Sequence, residues 1–174
     1  IIITSEAHNT LEAAVITAGL DDDLSGDGPF TVFAPTDDAF AALPAGTVET
    51  LLADPAGLAT ILTYHVVGDS ARSNDLSNGQ VLTSLQGDNL LITKTDAGIF
   101  VNGVMITVAD IPATNGVVHV IDAVLSLPPA TVVDIVVASE VHTTLEAAVI
   151  AADLAGALSG DGPFTVFAPT DDAF

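Results

Sequence analysis

The first 40 residues of this chain recur at its C-terminal end. With an offset of 134 residues, residues 1–40 align without a gap to residues 135–174, and 30 of the 40 positions are identical. The stretch GPFTVFAPTDDAF is unchanged at residues 28–40 and 162–174. A period of 134 residues is too long for a solenoid unit of ~20–50 residues and has the size of one ordinary domain. The repeat therefore predicts one domain period followed by the first third of the next.

This repeat sets the expected domain organisation. We expect a first domain at residues 1–130, with its first few residues missing, and the N-terminal third of a second, near-identical domain at residues 131–174. A third of a domain buries too little surface to fold alone, so we interpret the sequence as a window from a longer tandem array. The alternative is that residues 135–174 complete a neighbouring chain by swapping or strand donation. The segment LPPA at residues 127–130 should form a short, stiff hinge, because consecutive prolines favour extended geometry.

The charge of the chain excludes several classes of partner. It carries 23 acidic side chains against two basic ones, Arg72 and Lys94, for a formal net charge of −21. Such a surface repels the phosphates of nucleic acids and anionic membranes. No apolar run reaches the ~18 residues of a membrane-spanning helix. We therefore expect neither a nucleic-acid partner nor direct membrane insertion.

Helical patterns precede strand patterns along one period. We expect helices at residues 8–20, 35–43, 47–54 and 55–67, the last running into a strand near Tyr64 and His65. We expect further strands at residues 30–34, 80–85, 89–95, 99–103, 104–111 and 117–125. Asn9 or Thr10 can cap the first helix and Thr36 the second, while residues 20–29 read as a polar loop rich in turn formers. This segregation predicts an α+β fold with a mostly antiparallel or mixed sheet.

Three spaced motifs resemble one known domain family. TVFAPTDDAF at residues 31–40, YH at residues 64–65 and ATNGVVHVIDAVLSLPP at residues 113–129 resemble the two signature boxes and the central Tyr-His motif of the fasciclin (FAS1) domain. The resemblance covers residues 1–130 and continues into residues 131–174 as the start of a second domain. It implies an α+β wedge, with a seven-stranded β-sandwich core and flanking helices. It also implies secretion or display at the cell surface, tandem copies and adhesion.

The same resemblance implies candidate partner-binding residues. Tyr64 and His65 match the Tyr-His motif, which has been linked to adhesion in the family, and Asp110 and Ile111 match a second such segment. The structural alternative is that Tyr64 and His65 are half-buried in the apolar stretch ILTYHVV, with their polar tips hydrogen-bonded locally. The signature boxes likewise have a structural interpretation as core and turn residues, namely Phe33, Ala34, Pro35, Phe40, Val118, Val120 and Ile121.

One acidic loop has the beginning of a calcium site. Residues 23–28 fit the first half of an EF-hand loop, but position 12 of that loop, where a bidentate Glu belongs, is Ala34. The second copy also replaces Asp23 with Ala157. We therefore expect a solvated acidic turn and no cofactor or specific metal site, with diffuse or weak Ca²⁺ binding as the alternative. The acidic residues concerned are Asp21, Asp22, Asp23 and Asp27.

No motif in the sequence indicates an enzyme. The chain has no G-x-S-x-G elbow and no cysteine nucleophile, and GDG at residues 26–28 precedes a strand rather than a phosphate-binding helix. His8, His65 and His119 do not have metal-binding helical spacing.

The sequence therefore favours a non-enzymatic extracellular or cell-surface adhesion module that acts multivalently in a tandem array. Its expected partners are other copies of the repeat and cell-surface or matrix glycans or proteins. The alternative function is a structural subunit of an extracellular fibre, sheath or matrix, built by self-association of the repeats. A third function, ligand binding, would require a pocket, which sequence does not reveal.

Overall fold

The computed structural model describes residues 7–128, 131–159 and 164–174. The chain divides into two compact units, Ile1–Leu127 and Pro128–Phe174, and each is described by itself. Pro129 and Ala130, the last half of the expected hinge, lie outside the described residues. Among the helices of the described residues, none has the length and apolar character to cross a membrane.

The first unit has helices and strands in nearly the order that the sequence predicts. Its helices are α1 (Asn9–Thr17), α2 (Asp21–Leu24), α3 (Asp37–Ala41), α4 (Thr47–Ala53) and α5 (Pro55–Tyr64). Its strands are β1 (Phe30–Pro35), β2 (Val66–Val67), β3 (Val81–Thr83), β4 (Asn89–Thr95), β5 (Gly98–Val101), β6 (Val104–Ala113) and β7 (Gly116–Ile121). The helix α2 corrects the expected loop at residues 20–29, because three aspartates in its first turn suit the positive end of a helix.

The seven strands form one mixed sheet in the order β2-β1-β7-β6-β5-β4-β3. The pair β1 and β7 is parallel, and the other neighbouring pairs are antiparallel. A bridge between Val67 and Ser84 joins β2 to the segment after β3, so the sheet curls and its two ends meet. The α+β fold with seven strands and flanking helices, which the resemblance implies, is confirmed.

Two clusters of apolar side chains fill the first unit. One lies inside the curled sheet and contains Phe33, Tyr64, Leu90, Ile92 and Ile121 among its buried members. The other packs α1, α3 and α5 against the opposite face of β1 and β7, with these buried members: Leu11, Ala14, Ala34, Phe40, Leu58, Leu62 and Val118. The residues of the signature boxes that the structural interpretation assigned to the core are buried in these clusters or beside them.

The start of α1 is capped by a residue 28 positions away. The carboxylate of Asp37 accepts hydrogen bonds from the backbone N–H groups of Asn9 (3.2 Å) and Thr10 (2.8 Å). The expected cap by Asn9 or Thr10 is therefore wrong, since the N-cap residue is His8 and its side chain makes no capping bond. The expected cap of α3 is confirmed, because the hydroxyl of Thr36 accepts from the backbone N–H of Ala39 at 3.2 Å.

The end of α1 is a Schellman motif. Gly19 has φ +68°, and the N–H groups of Gly19 and Leu20 donate to the carbonyls of Ile16 and Val15. A glycine adopts this left-handed conformation without the Cβ penalty that other residues incur.

The second unit contains α6 (Val132–Val137), α7 (Thr143–Ala151), α8 (Ala155–Leu158) and a 3₁₀ turn at Asp171–Ala173. Asp171 aligns with Asp37 of the first copy, and its carboxylate accepts from the backbone N–H groups of Thr143 (3.2 Å) and Thr144 (2.7 Å) at the start of α7. The long-range cap therefore recurs at the same position of the repeat. Residues 164–170, by contrast, have no regular structure.

The cap of α1 gives a direct stability test. We expect Asp37→Ala to lower the free energy of unfolding by about 1–2 kcal/mol, because two backbone N–H groups lose their acceptor. Urea denaturation followed by circular dichroism measures this change. The matched control is Asp38→Ala, which removes a neighbouring exposed carboxylate from the same first turn of α3. Equal losses in the two variants would contradict a specific cap by Asp37.

Candidate functional site

Tyr64 lies at the end of α5 with its phenol in the core. The side chain is 1% exposed, and its hydroxyl accepts from the side-chain amide of Asn102 (2.7 Å) and donates to the carbonyl of Asn89 (3.3 Å). Burial raises the pKa of the Tyr64 phenol, so it stays neutral and keeps its proton for the second bond. Tyr64 thus joins α5 to β4 and to the turn between β5 and β6.

His65 follows α5 and is also enclosed, with 2% of its surface exposed. Its Nε2 accepts from the backbone N–H of Leu125 (2.9 Å), so Nδ1 carries the proton and donates to the carbonyl of Ile61 (2.8 Å). Burial lowers the pKa of His65 to about 4, because the charged ring would lose its hydration. Through these two hydrogen bonds, the neutral imidazole connects the segment after β7 to the last turn of α5.

Asp110 lies in an irregular stretch of β6, where the register with β7 shifts between Val108 and Ile111. Its backbone has φ +61°, a left-handed conformation that costs free energy for a residue with a side chain. The carboxylate accepts hydrogen bonds from both the hydroxyl and the backbone N–H of Ser73. These bonds hold the pKa of Asp110 below its usual value, and the positive charge of Arg72 acts in the same direction.

The contacts of Asp110 belong to a larger set that holds one loop. We name residues 69–76, between β2 and β3, the 69–76 loop. His119 on β7 accepts from the backbone N–H of Asp110 at 3.2 Å and donates to the carbonyl of Ala71 at 2.8 Å. The hydroxyl of Thr31 on β1 donates to the carbonyl of Asp69 at 2.6 Å and accepts from the N–H of Ala71 at 2.8 Å. Side chains of β1, β6 and β7 therefore hold the 69–76 loop in place through hydrogen bonds to its backbone.

Both basic residues of the chain lie at this loop. Arg72 is an exposed residue of the loop itself, and the ammonium of Lys94 on β4 donates to the carbonyls of Ser73 (3.1 Å) and Leu76 (3.4 Å). The ammonium of Lys94 thus stabilises the loop through hydrogen bonds to its backbone, whereas the side chain of Arg72 is exposed to solvent. An otherwise acidic unit therefore has its positive charge concentrated at one place.

The four predicted site residues do not form one cluster of contacts. Tyr64 and His65 bond to α5, β4 and the segment after β7, whereas Asp110 bonds to the 69–76 loop. Ile111 is half-buried and packs against the helical cluster around α1. Partner binding by these four residues stays a prediction, while their contacts within the unit give each of them a structural role.

Sequence reasoning singled out Asp110 but missed the other residues whose side chains bond to the loop or to Asp110. Thr31 is 0% exposed but stands in an ordinary alternating strand, and Ser73 stands in a polar stretch without a motif. Only the scarcity of basic residues was a usable signal, since it singles out Arg72 and Lys94. Within the described residues, no three acidic or histidine side chains cluster as metal ligands would, and the predicted weak Ca²⁺ binding stays a prediction.

The buried His65 predicts a pH dependence of stability. In the unfolded chain His65 has the ordinary pKa of 6.5, whereas in the folded chain its pKa is about 4. The contribution of neutral His65 to the free energy of unfolding is therefore fully present above about pH 6.5 and is lost as the pH falls toward 4. We expect the free energy of unfolding to fall by about 2 kcal/mol between about pH 7 and about pH 5, measured by urea denaturation. His65→Gln should remove most of this dependence even where it lowers stability at both values. An unchanged slope in that variant would contradict the assignment.

The pair of Ser73 and Asp110 predicts an energetic coupling. In a double-mutant cycle of Ser73→Ala and Asp110→Ala, we expect a coupling free energy of about 1–3 kcal/mol, because the hydroxyl of Ser73 donates a charge-assisted hydrogen bond to the carboxylate of Asp110. Thermal or urea denaturation of the four proteins measures it. Ser70→Ala, at an exposed serine of the same loop, should give no coupling with Asp110→Ala. Additive effects of Ser73 and Asp110 would show that their contact does not stabilise the loop.

Comparison with known proteins identifies the family. The sequence model of the Fasciclin domain matches residues 6–128 and 140–174. Protein sll1483 of Synechocystis sp. is 50% identical over 127 residues, which cover 72% of this chain and 69% of that protein. Human periostin is 36% identical over 167 residues, which cover 95% of this chain and 20% of periostin.

A solved structure agrees on the fold. The FAS1 domain pair from the insect cell adhesion molecule Fasciclin I matches with a TM-score of 0.52 at 17% sequence identity. The match covers 87% of this chain and 55% of that one, and this identity supports the fold alone. The sequence matches and the seven-stranded fold agree, and the chain belongs to the Fasciclin (FAS1) domain family.

Proposed function

We propose that this chain is a non-enzymatic adhesion module, extracellular or displayed at the cell surface, and that it makes contact through the 69–76 loop. The single observation that carries this proposal is the way the loop is held. Side chains from three central strands bond to its backbone, while its tip is exposed. A rigid scaffold that displays a loop is the usual arrangement for recognition by surface contact.

The exposed Arg72 suggests what the loop contacts, within a loop that also carries the exposed Asp69 and Asp75. An exposed guanidinium binds carboxylate or sulfate groups with two parallel hydrogen bonds, and such groups occur on glycans and on acidic proteins. The acidic remainder of the surface repels anions at longer range, so a contact at Arg72 is local and weak. We therefore propose cell-surface or matrix glycans or proteins as partners.

Weak contacts become useful when they are repeated. We propose that residues 131–174 are the first third of a second domain and that further copies follow in a tandem array. The recurrence of the long-range cap, by Asp37 in one copy and Asp171 in the other, supports this interpretation. Linked modules raise the effective concentration of each next contact, so overall attachment can exceed the affinity of one domain by orders of magnitude.

A fibre is the second candidate function. Near-identical successive domains favour it, because equivalent interfaces can propagate along one axis. Close packing of units that carry so many carboxylates requires screening by salt or divalent cations. The two functions therefore differ in what they need, since an adhesin needs a foreign surface and a fibre needs other copies and cations.

Attachment of coated beads tests the adhesive function. Beads that carry the chain should be retained under flow on surfaces coated with cells or matrix glycans. Arg72→Gln should lower retention by more than about fivefold, because the loss of one exposed charge contact is multiplied over many contacts on a bead. The control is Glu49→Gln, which changes one charge at an exposed position of α4 and should leave retention unchanged.

Two results would contradict the proposal. Full retention of beads that carry the Arg72→Gln variant would show that the 69–76 loop does not make the contact. Absence of retention by the unmodified chain, together with assembly in rising CaCl₂ seen by analytical ultracentrifugation, would replace the adhesin with the fibre.

A further inference from the structure

Part of the curled sheet presents apolar side chains on its outer face. Val81 of β3 pairs with Leu91 of β4. Phe100 of β5 pairs with Met105 of β6 and lies diagonally across from Leu91. Side chains of paired residues point to the same face of a sheet, and the neighbours of these residues along each strand point inward. The inward neighbours are members of the cluster inside the curled sheet: Leu82, Leu90, Ile92, Val101 and Ile106. We name Val81, Leu91, Phe100 and Met105 the outer patch.

Solvent reaches much of the outer patch. Val81 is 55% exposed and Leu91 is 47% exposed, whereas Phe100 and Met105 are half-buried. The described residues of the helical cluster include none of these four, since its helices pack on β1 and β7. In the described part of the first unit, five large apolar side chains are about half exposed or more, and all but the first lie on β3, β4 or β6 or directly after β3: Ile16, Val81, Leu85, Leu91 and Val108. Exposed apolar side chains concentrated on one face are typical of a contact surface.

The outer patch is neutral and has acidic residues at its edges. The other outward residues of β3 and β4 are threonine and asparagine. Asp88 and Asp96 directly precede and follow β4, and the carboxylate of Asp122 accepts a hydrogen bond from the backbone N–H of Met105 at 3.1 Å. Lys94, the basic residue of β4, has its ammonium at the 69–76 loop instead. The surface therefore has an apolar centre and a negatively charged edge.

Charge complementarity determines which partner fits this surface. A chain with a net charge of −21 repels acidic proteins and other copies of itself, and the carboxylates at the edge repel them again at contact. A partner with an apolar centre and basic residues around it matches both parts of the surface. The apolar centre supplies short-range attraction, while the charges at the edge favour approach in one orientation.

The length of β4 sets the length of the partner segment. This strand is seven residues long and lies between Asp88 and Asp96. A partner segment of the same length, extended along β4, places its middle residues over Leu91 and Phe100. Its two ends then lie near the two aspartates, because extended chains rise about 3.3 Å per residue on both sides of the contact.

We propose that the outer patch is a docking site for an extended segment of a basic protein, with apolar residues at the centre of the segment and lysine or arginine at both ends. The apolar residues cover Val81, Leu91, Phe100 and Met105, and the basic residues pair with the carboxylates at the edge. This contact goes beyond the adhesive function and does not depend on it, since the outer patch and the 69–76 loop are formed by different residues.

Three peptides of equal length test the proposal on the whole 174-residue protein, by calorimetry and by ¹H–¹⁵N NMR. The first has Leu-Phe-Leu at its centre and two lysines at each end. The second replaces the centre with Ser-Gly-Ser, and the third replaces the lysines with glutamates. We expect the first peptide to bind about tenfold more tightly than the second, because its apolar side chains are partly buried on binding. The third should show no saturable binding, and the amide signals shifted by the first should cluster at the outer patch.

Variants separate this site from diffuse attraction by an acidic protein. Leu91→Ser should weaken the first peptide by about fivefold, because less apolar surface is buried, and Asp96→Asn should weaken it by about two- to fivefold, as for other exposed charge pairs. The matched controls are Ile16→Ser, at an exposed apolar residue of α1, and Glu49→Gln, at an exposed carboxylate of α4. Each control should change the affinity less than about twofold. Thermal denaturation establishes that each variant is folded, and Val81→Ser replaces Leu91→Ser if the latter is unfolded.

Three results would overturn the proposal. Equal binding of the first and second peptides would show that only diffuse charge attraction acts. Shifted signals away from the outer patch, or control variants that weaken binding as much as the patch variants, would place the contact elsewhere. Signals of the outer patch that shift with protein concentration in the absence of peptide, together with a dimer in sedimentation, would show that a second copy occupies this face instead of a basic partner.

Discussion

The parallel pairing of β1 with β7 is the constraint on which the rest of the first unit depends. The two strands lie more than 80 positions apart in the sequence, and they are the second and third strands of the sheet, with antiparallel neighbours on both sides. Their approach leaves no room for a side chain at Gly28 or Gly116. Strands with neighbours on both sides pair their backbone groups within the sheet, and β2 and β6 complete the pairing of β1 and β7.

The repeat shows how far a strand depends on its partners. Residues 30–36 and 164–170 have the same sequence, FTVFAPT. In the first copy this sequence forms β1 and Phe33 is 0% exposed, whereas the corresponding Phe167 is 91% exposed in a segment without regular structure. The helices α1 and α7, by contrast, form in both copies, because helical bonds are local. Strand propensity reflects how well side chains pack on a pleated, half-buried surface and is not an intrinsic preference of the backbone. The same sequence therefore forms a strand only where neighbouring strands are present.

The same distinction explains what could be predicted from the sequence. The strands of the second half and the helix cap of Thr36 follow from short patterns, and the resemblance supplied the seven-stranded fold. The cap of α1 by Asp37 was missed because its bond from Asn9 spans 28 residues, and no local pattern records such a bond. Thr31 and His119 were missed for this reason too, since their bonds to the 69–76 loop span 38 and 48 residues.

Side chains alternate between the two faces of the β1–β7 pair, and the two faces make different contacts. On one face, Thr31 and His119 hold the 69–76 loop, and Phe33 stacks on His119 at 5.6 Å. On the other face, Val32 and Val118 pack in the apolar cluster beside α1. A shift of register by one residue would exchange these sets, placing Thr31 against the helices and apolar groups under the loop. Buried polar groups are costly unless they are bonded, so the bonds of Thr31 and His119 favour this register. The register in turn positions both the displayed loop and the apolar face that packs against the helices.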